Sequence, residues 1–158
     1  MVASGDSGGG GCDAQNAEPL AAHGPAVQFP GNLPEVTSMG GTMFDDANGT
    51  WWGKKNSLTG ASALGYIPEV VWSENTLPYG LGETGGGPSA LIAKPEWQNG
   101  PGVPNDGARD APDISVAAGG HDGYLVTQGK SLLVVGGTSA AAPSMAGLVV
   151  LLNQYVVK

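Results

Sequence analysis

Cys12 is the only cysteine in the chain, so no disulfide can close within it. No base flanks that thiol, and it reads as a small buried or loop residue rather than a nucleophile. Basic residues are scarce: six Lys and Arg face fourteen Asp and Glu, a net charge of −8. That balance argues against nucleic acid or an anionic membrane as a partner. No run reaches the roughly 18 apolar residues of a membrane span. There is no basic n-region of a signal peptide, and no repeat recurs at about 20 to 50 residues. A carboxylate-rich surface sheds net charge as pH falls, which is compatible with acid surroundings, although many proteins of neutral surroundings are acidic too.

What the chain has in quantity is glycine, 28 residues, with 12 prolines beside it. That fraction approaches the range of disordered chains. The apolar runs over residues 65–72 and 132–135 argue instead for packed strands with glycine loops around a rigid sheet. Val2-Ala3, residues 26–29, Val36-Thr37-Ser38-Met39, Ile114-Ser115-Val116 and Tyr124-Leu125-Val126 read as further short strands. Asn48-Gly49 is a tight turn, with Trp51-Trp52 starting an extended segment. Residues 80–87 read as a mobile loop, and Pro95-Glu96-Trp97-Gln98 as a packed turn. One helix is predicted, from about Ser139 to Tyr155. Trp51, Trp52, Trp72 and Trp97 share no period and read as core residues rather than a carbohydrate platform. The pattern is that of an α/β sheet with ligands at its strand ends.

The run Gly136-Gly137-Thr138-Ser139-Ala140-Ala141-Ala142-Pro143 delivers a serine to the start of an apolar helix. Such a helix start offers free N–H groups and a positive dipole end to any charge that develops there. Pro143 is expected in the first turn, where a missing N–H costs little. An ordinary capped helix would also begin this way, because Thr and Ser are preferred N-caps. At the other end of the chain, Val2-Ala3-Ser4-Gly5-Asp6-Ser7-Gly8 reads as a strand running into a glycine-rich turn. Alone, Asp6 there is a turn residue.

Taken together, these two stretches resemble the sedolisins, the serine-carboxyl peptidases. The resemblance continues in order through Phe29-Pro30, Val36-Thr37-Ser38-Met39-Gly40-Gly41-Thr42, Gly85-Gly86-Gly87, Pro95-Glu96-Trp97-Gln98, Arg109, Pro112-Asp113-Ile114-Ser115 and Gly123-Tyr124. It implies an α/β, subtilisin-like fold: a mostly parallel sheet with flanking helices, here incomplete. Residues 1–158 would form part of a single peptidase catalytic domain. Ser139 would be the nucleophile of a serine-type endopeptidase, and Asp6 would donate to the oxyanion beside the Ser139 N–H. Subtilisins place an asparagine at that position. An ionised carboxylate accepts only, so Asp6 fits the role when protonated, and an aspartic acid ordinarily titrates near about 3.9. Acid conditions follow, and neutral carboxylic acids donate to oxyanions in other enzymes.

A histidine base would favour a neutral subtilisin-like peptidase, but His23 and His121 both sit in turns bounded by chain breakers. The family uses a Glu base oriented by an Asp one helical turn along, which suits acid, where imidazole is protonated. No Glu-x-x-x-Asp pair stands in this chain, so that helix is expected outside it. Glu35, Glu69, Glu74, Glu83 and Glu96 read as solvated surface carboxylates. The resemblance also implies calcium, bound by a late loop expected beyond this chain. The run Asp45-Asp46-Ala47-Asn48-Gly49 lacks the downstream Glu of a calcium loop and reads as a polar turn, so no metal ligand is assigned here. Protein or peptide substrates and a secreted, acidic location are implied likewise. Two alternatives stay open: a neutral subtilisin-like serine peptidase whose Asp and His lie upstream of this chain, and a non-catalytic remnant or binding domain on the same fold.

Overall fold

A computed structural model describes residues 1–14, 20–74 and 81–157. Its centre is β2 (Ser38–Phe44), a strand with Gly40-Gly41 in its middle that is hydrogen-bonded on both edges. On one edge β1 (Val2–Ala3) runs parallel to its first half, and β3 (Glu69–Val71) runs antiparallel to its second. Between them the Gly41 N–H donates to the Thr84 hydroxyl at 2.8 Å. The other edge pairs in parallel with β6 (Ile114–Ala117). Two antiparallel ribbons stand beside this sheet: β4 (Gly87–Ala93) with β5 (Ala108–Ala111), and β7 (Tyr124–Gln128) with β8 (Ser131–Val135).

The helix α1 (Thr138–Val156) packs against β1, β2 and β6. The alanines at its start let it approach closely, and Ala141, Ala118 and Trp72 form the buried core with Met43 and Val116 packed on it. This is the expected α/β arrangement, although α1 is the one helix among the described residues. Because α1 starts at Thr138, Pro143 is its sixth residue, beyond the expected first turn. A proline has no N–H to give, so the Ser139 carbonyl lacks its usual helical donor.

Several strands differ from expectation. β2 begins two residues later than Val36 and continues through Gly40-Gly41 to Phe44, because its neighbours on both edges satisfy the backbone there. Residues 26–29 form no strand; Ala26 makes a single bridge to Gly10, and Phe29 is exposed. In the run 65–72, Ile67 and Trp72 are buried, yet β3 itself is exposed. The apolar run 132–135 is β8, exposed throughout. Of the loop expected over 80–87, position 80 lies outside the described residues. Glu83 to Gly85 are pinned to the first turn of the chain, with Glu83 N–H on the Asp6 carbonyl at 3.1 Å and Gly85 N–H on that of Gly5 at 2.7 Å. Of the four tryptophans only Trp72 is a core residue; Trp97 is 55% exposed and Trp52 is 42% exposed.

Candidate active site

β1 and α1 bring the two ends of the sequence together. β1 ends where Ser4 N–H bonds the Met39 carbonyl at 2.8 Å, and the chain turns into Gly5-Asp6. The Thr138 N–H donates to Asp6 Oδ1 at 2.7 Å, and the Thr138 hydroxyl donates to the same oxygen at 2.6 Å. That hydroxyl also accepts the Gly5 N–H at 3.1 Å. Asp6 thus does from 132 residues away what an N-cap side chain normally does locally. The residue in the cap position is Gly137, at φ 87°, and it has no side chain to cap with. A side chain there is barred twice: by the positive φ, and by Asp6 Oδ2, which would lie 2.6 Å from its Cβ. The sequence needs Gly137 because the carboxyl occupies that space.

Ser139 is the next residue, exposed in the first turn of α1. It lines a cavity of about 360 Å³ with Tyr124, Leu125, Val126 and Val135 of the second ribbon and Ala140, Pro143 and Ser144 of the helix. Asp6 lines a separate, glycine-rich cavity of about 260 Å³ with Trp72, Glu74, Gly82, Gly120, Gly136 and Gly137. The structure therefore joins the two expected site residues through Thr138. Among the described residues no side chain hydrogen-bonds the Ser139 hydroxyl.

Neither histidine serves Ser139. His23 Nδ1 lies 2.7 Å from Asp13 Oδ1. That carboxyl is held below its ordinary range first by the Ala22 N–H and then by the imidazole. His121 Nδ1 lies 2.5 Å from Glu74 Oε1. Glu74 corrects an expectation, because it is not a solvated surface group. Its carboxylate accepts from Gly120 N–H at 2.5 Å, Trp72 Nε1 at 2.8 Å and His121 N–H at 3.0 Å as well as from the imidazole. Burial by itself would raise this carboxyl. The Gly120 N–H, the His121 ring, the Trp72 indole and the His121 N–H outweigh it and bring the pKa to about 2. The same contact raises His121 above its ordinary value, against a smaller opposing effect of burial. No local signal marks Glu74, because its partners on the 118–123 turn are 46 and 47 residues away.

The motifs around residues 95–98 and 109–113 form a knot of their own. Arg109 is fully buried and bidentate on Asp113, at 2.8 and 2.6 Å, with Trp97 stacked 5.1 Å from the guanidinium. Gln98 bonds both backbone groups of Asp110, at 2.7 and 2.8 Å. Asp113 in turn receives the Ser38 N–H at 2.8 Å, which ties this corner to the start of β2. The turn at Asp45-Asp46 spends Asp46 Oδ2 on Trp52 Nε1 at 2.9 Å. Among the described residues no cluster of three or more His, Cys, Asp or Glu could hold a metal ion.

This geometry can be set against known proteins. No family model matches the chain. It is 37% identical over 138 residues to kumamolisin from Bacillus sp. strain MN-32, covering 84% of this chain and 22% of that protein. To sedolisin from Pseudomonas sp. strain 101 it is 37% identical over 125 residues, 78% of this chain and 19% of the relative. The solved structure of Pseudomonas sedolisin, a serine-carboxyl proteinase complexed with two molecules of pseudo-iodotyrostatin, superposes with a TM-score of 0.63 at 32% identity. That match covers 90% of this chain and 34% of the sedolisin chain. The chain belongs to the sedolisin family. Its α/β, subtilisin-like fold follows from the same superposition. The chain spans about a fifth of the length of the two curated relatives, 22% and 19%. No helix among the described residues is long and apolar enough to cross a membrane.

Proposed function

We propose that this sedolisin-family chain carries the nucleophile and the oxyanion carboxyl of a serine-type endopeptidase that hydrolyses peptide bonds in proteins at acidic pH. The observation that carries the reading is the double hydrogen bond from Thr138 to Asp6. It sets a carboxyl group against the helix start that presents Ser139. The Ser139 hydroxyl attacks the scissile carbonyl. Its proton passes to a glutamate supplied from outside these residues, as the family resemblance implies. The oxyanion receives hydrogen bonds from the Ser139 N–H and from Asp6 in its protonated form. Protonation is required because an ionised carboxylate has no hydrogen to give, and it places turnover in acid. Residues 1–158 form part of a single catalytic domain in this reading, the substrates are proteins or peptides, and the protein is secreted.

Variants of the protein that carries this chain test the reading. Ser139→Ala is expected to remove about 10⁶ of turnover, and Asp6→Ala about 10² to 10³, with peptide hydrolysis followed from acid to neutral pH. Near-normal hydrolysis by Ser139→Ala, or a rate maximum at neutral pH, overturns the proposal.

A further inference from the structure

We propose that Glu74 and His121 are positioning residues, a clasp that fixes the 118–123 turn and through it the glycine turn that presents Ser139. The connection is continuous in hydrogen bonds. Glu74 gathers the Gly120 N–H, the His121 N–H, the His121 ring and the Trp72 indole on one carboxylate. On the far side of the turn, Asp122 Oδ2 accepts the Phe44 N–H at 2.5 Å, while Ala118 N–H holds the Thr42 carbonyl at 2.8 Å. The Ala118 carbonyl then accepts the Gly137 N–H at 2.6 Å. The two turns are so close that a Cβ on Gly136 would meet the Ala118 and Gly119 carbonyl oxygens at 2.8 and 2.9 Å. Glu74, Gly120, Gly136, Gly137 and Asp6 wall one cavity. A displacement of the 118–123 turn therefore cannot leave Gly137, Thr138 and the Asp6 carboxyl in place.

The clasp responds to pH because imidazole titrates in the physiological range. Among the described residues the charged groups facing His121 are carboxylates: Glu74 at 2.5 Å from Nδ1, Asp122 at 3.9 Å within its own turn, and Asp46 at 4.0 Å from Nε2, on the turn after β2. Its pKa is raised above 6.5, so the ion pair's contribution is complete below about that value and is lost as pH rises through the raised one. For Glu74, lowered from 4.5 to about 2, the contribution is complete above 4.5 and is lost as pH falls towards 2. Above 4.5 and below about 6.5 both contributions are complete and the clasp is closed. Mildly acid conditions fall inside that interval, and the acid-peptidase reading is needed only for the consequence in turnover.

The test is backbone amide exchange of the full chain, followed by mass spectrometry and expressed as protection relative to the unstructured rate. In the native sequence, protection at 136–138 and 118–121 is expected to be level near about pH 5 and to fall by about tenfold toward pH 8 as His121 deprotonates. Protection at Ser38 and Asp113 should not follow it. His121→Asn keeps an N–H donor near the Nδ1 position but cannot titrate, so it should retain protection and lose the pH dependence. His121→Ala should be poorly protected at both pH values. In the active protein the alkaline limb of kcat should shift in His121→Asn while KM holds. Flat protection at 136–138 through the His121 titration in the native chain overturns the clasp, whether or not a variant folds. Absence of peptide hydrolysis would overturn the peptidase reading and leave the exchange result standing.

Discussion

Two clusters of opposite charge hold this molecule's turns to its central strand, and they are built differently. Arg109 and Asp113 form one, sealed beneath Trp97 at the start of β2. Glu74 and His121 form the other, open to solvent on the imidazole side, where His121 is 42% exposed. A guanidinium keeps its charge at any pH a folded protein survives, so the first cluster is a fixed joint. An imidazole does not, so the second is conditional. The fixed joint lies at the sheet corner, where Asp113 holds the Ser38 N–H. The conditional one shares a wall with Asp6. Both are spelled with ordinary charged residues, and the difference comes from which cation was used and how much water reaches it.

The contrast is broken most severely at the fixed joint. Arg109→Met leaves Asp113, whose side chain is only 13% exposed, without its partner and is expected to cost about 3 to 5 kcal/mol, measured by denaturant unfolding. The cost should be nearly the same at mildly acid and neutral pH. A cost below about 1 kcal/mol would place this pair with weak surface bridges. Glu74→Gln comes next. The native chain should lose stability relative to this variant as pH falls from 4.5 toward 2, because the native carboxylate takes up its proton over that interval and the amide has none to take. A pH-dependent difference of about 1 to 3 kcal/mol is expected, read from paired thermal melts. Identical pH profiles would remove Glu74 from the clasp. The smallest effect is at Trp97, whose ring covers Arg109 but is half exposed. Trp97→Leu should cost about 0.5 to 1 kcal/mol beyond any loss of packing, and the cost should vanish in the Arg109→Met background.

The two candidate residues were picked out by resemblance rather than by local chemistry. Ser139 opens an alanine-rich helix as an ordinary capped helix would, and Asp6 by itself reads as a turn residue where a strand gives way to glycine. The helix was legible within a residue at either end. Thr138 was visible as a possible N-cap but not as the clamp on Asp6, since that contact spans 132 residues. Glu74 was misread for the same reason. A lone glutamate before a glycine-rich segment looks solvated until the 118–123 turn folds onto it. The strands at 65–72 and 132–135 show a different limit. An apolar run marks extended backbone, but not what covers it, and Leu132 and Val134 are 66% and 58% exposed.

The sequence by itself determined the family resemblance, the α/β class and the helix that opens beside Ser139. These depend on residue types in short, ordered stretches, where local sterics and hydrogen-bonding capacity act within a few bonds. Tertiary structure alone decided which oxygen of Asp6 Thr138 would hold and why Gly137 has no room for a side chain. It also gave one carboxylate a guanidinium, which keeps its charge, and another an imidazole, which titrates. Those outcomes depend on distances between segments up to 132 residues apart and on the water left around them. No local pattern encodes either quantity.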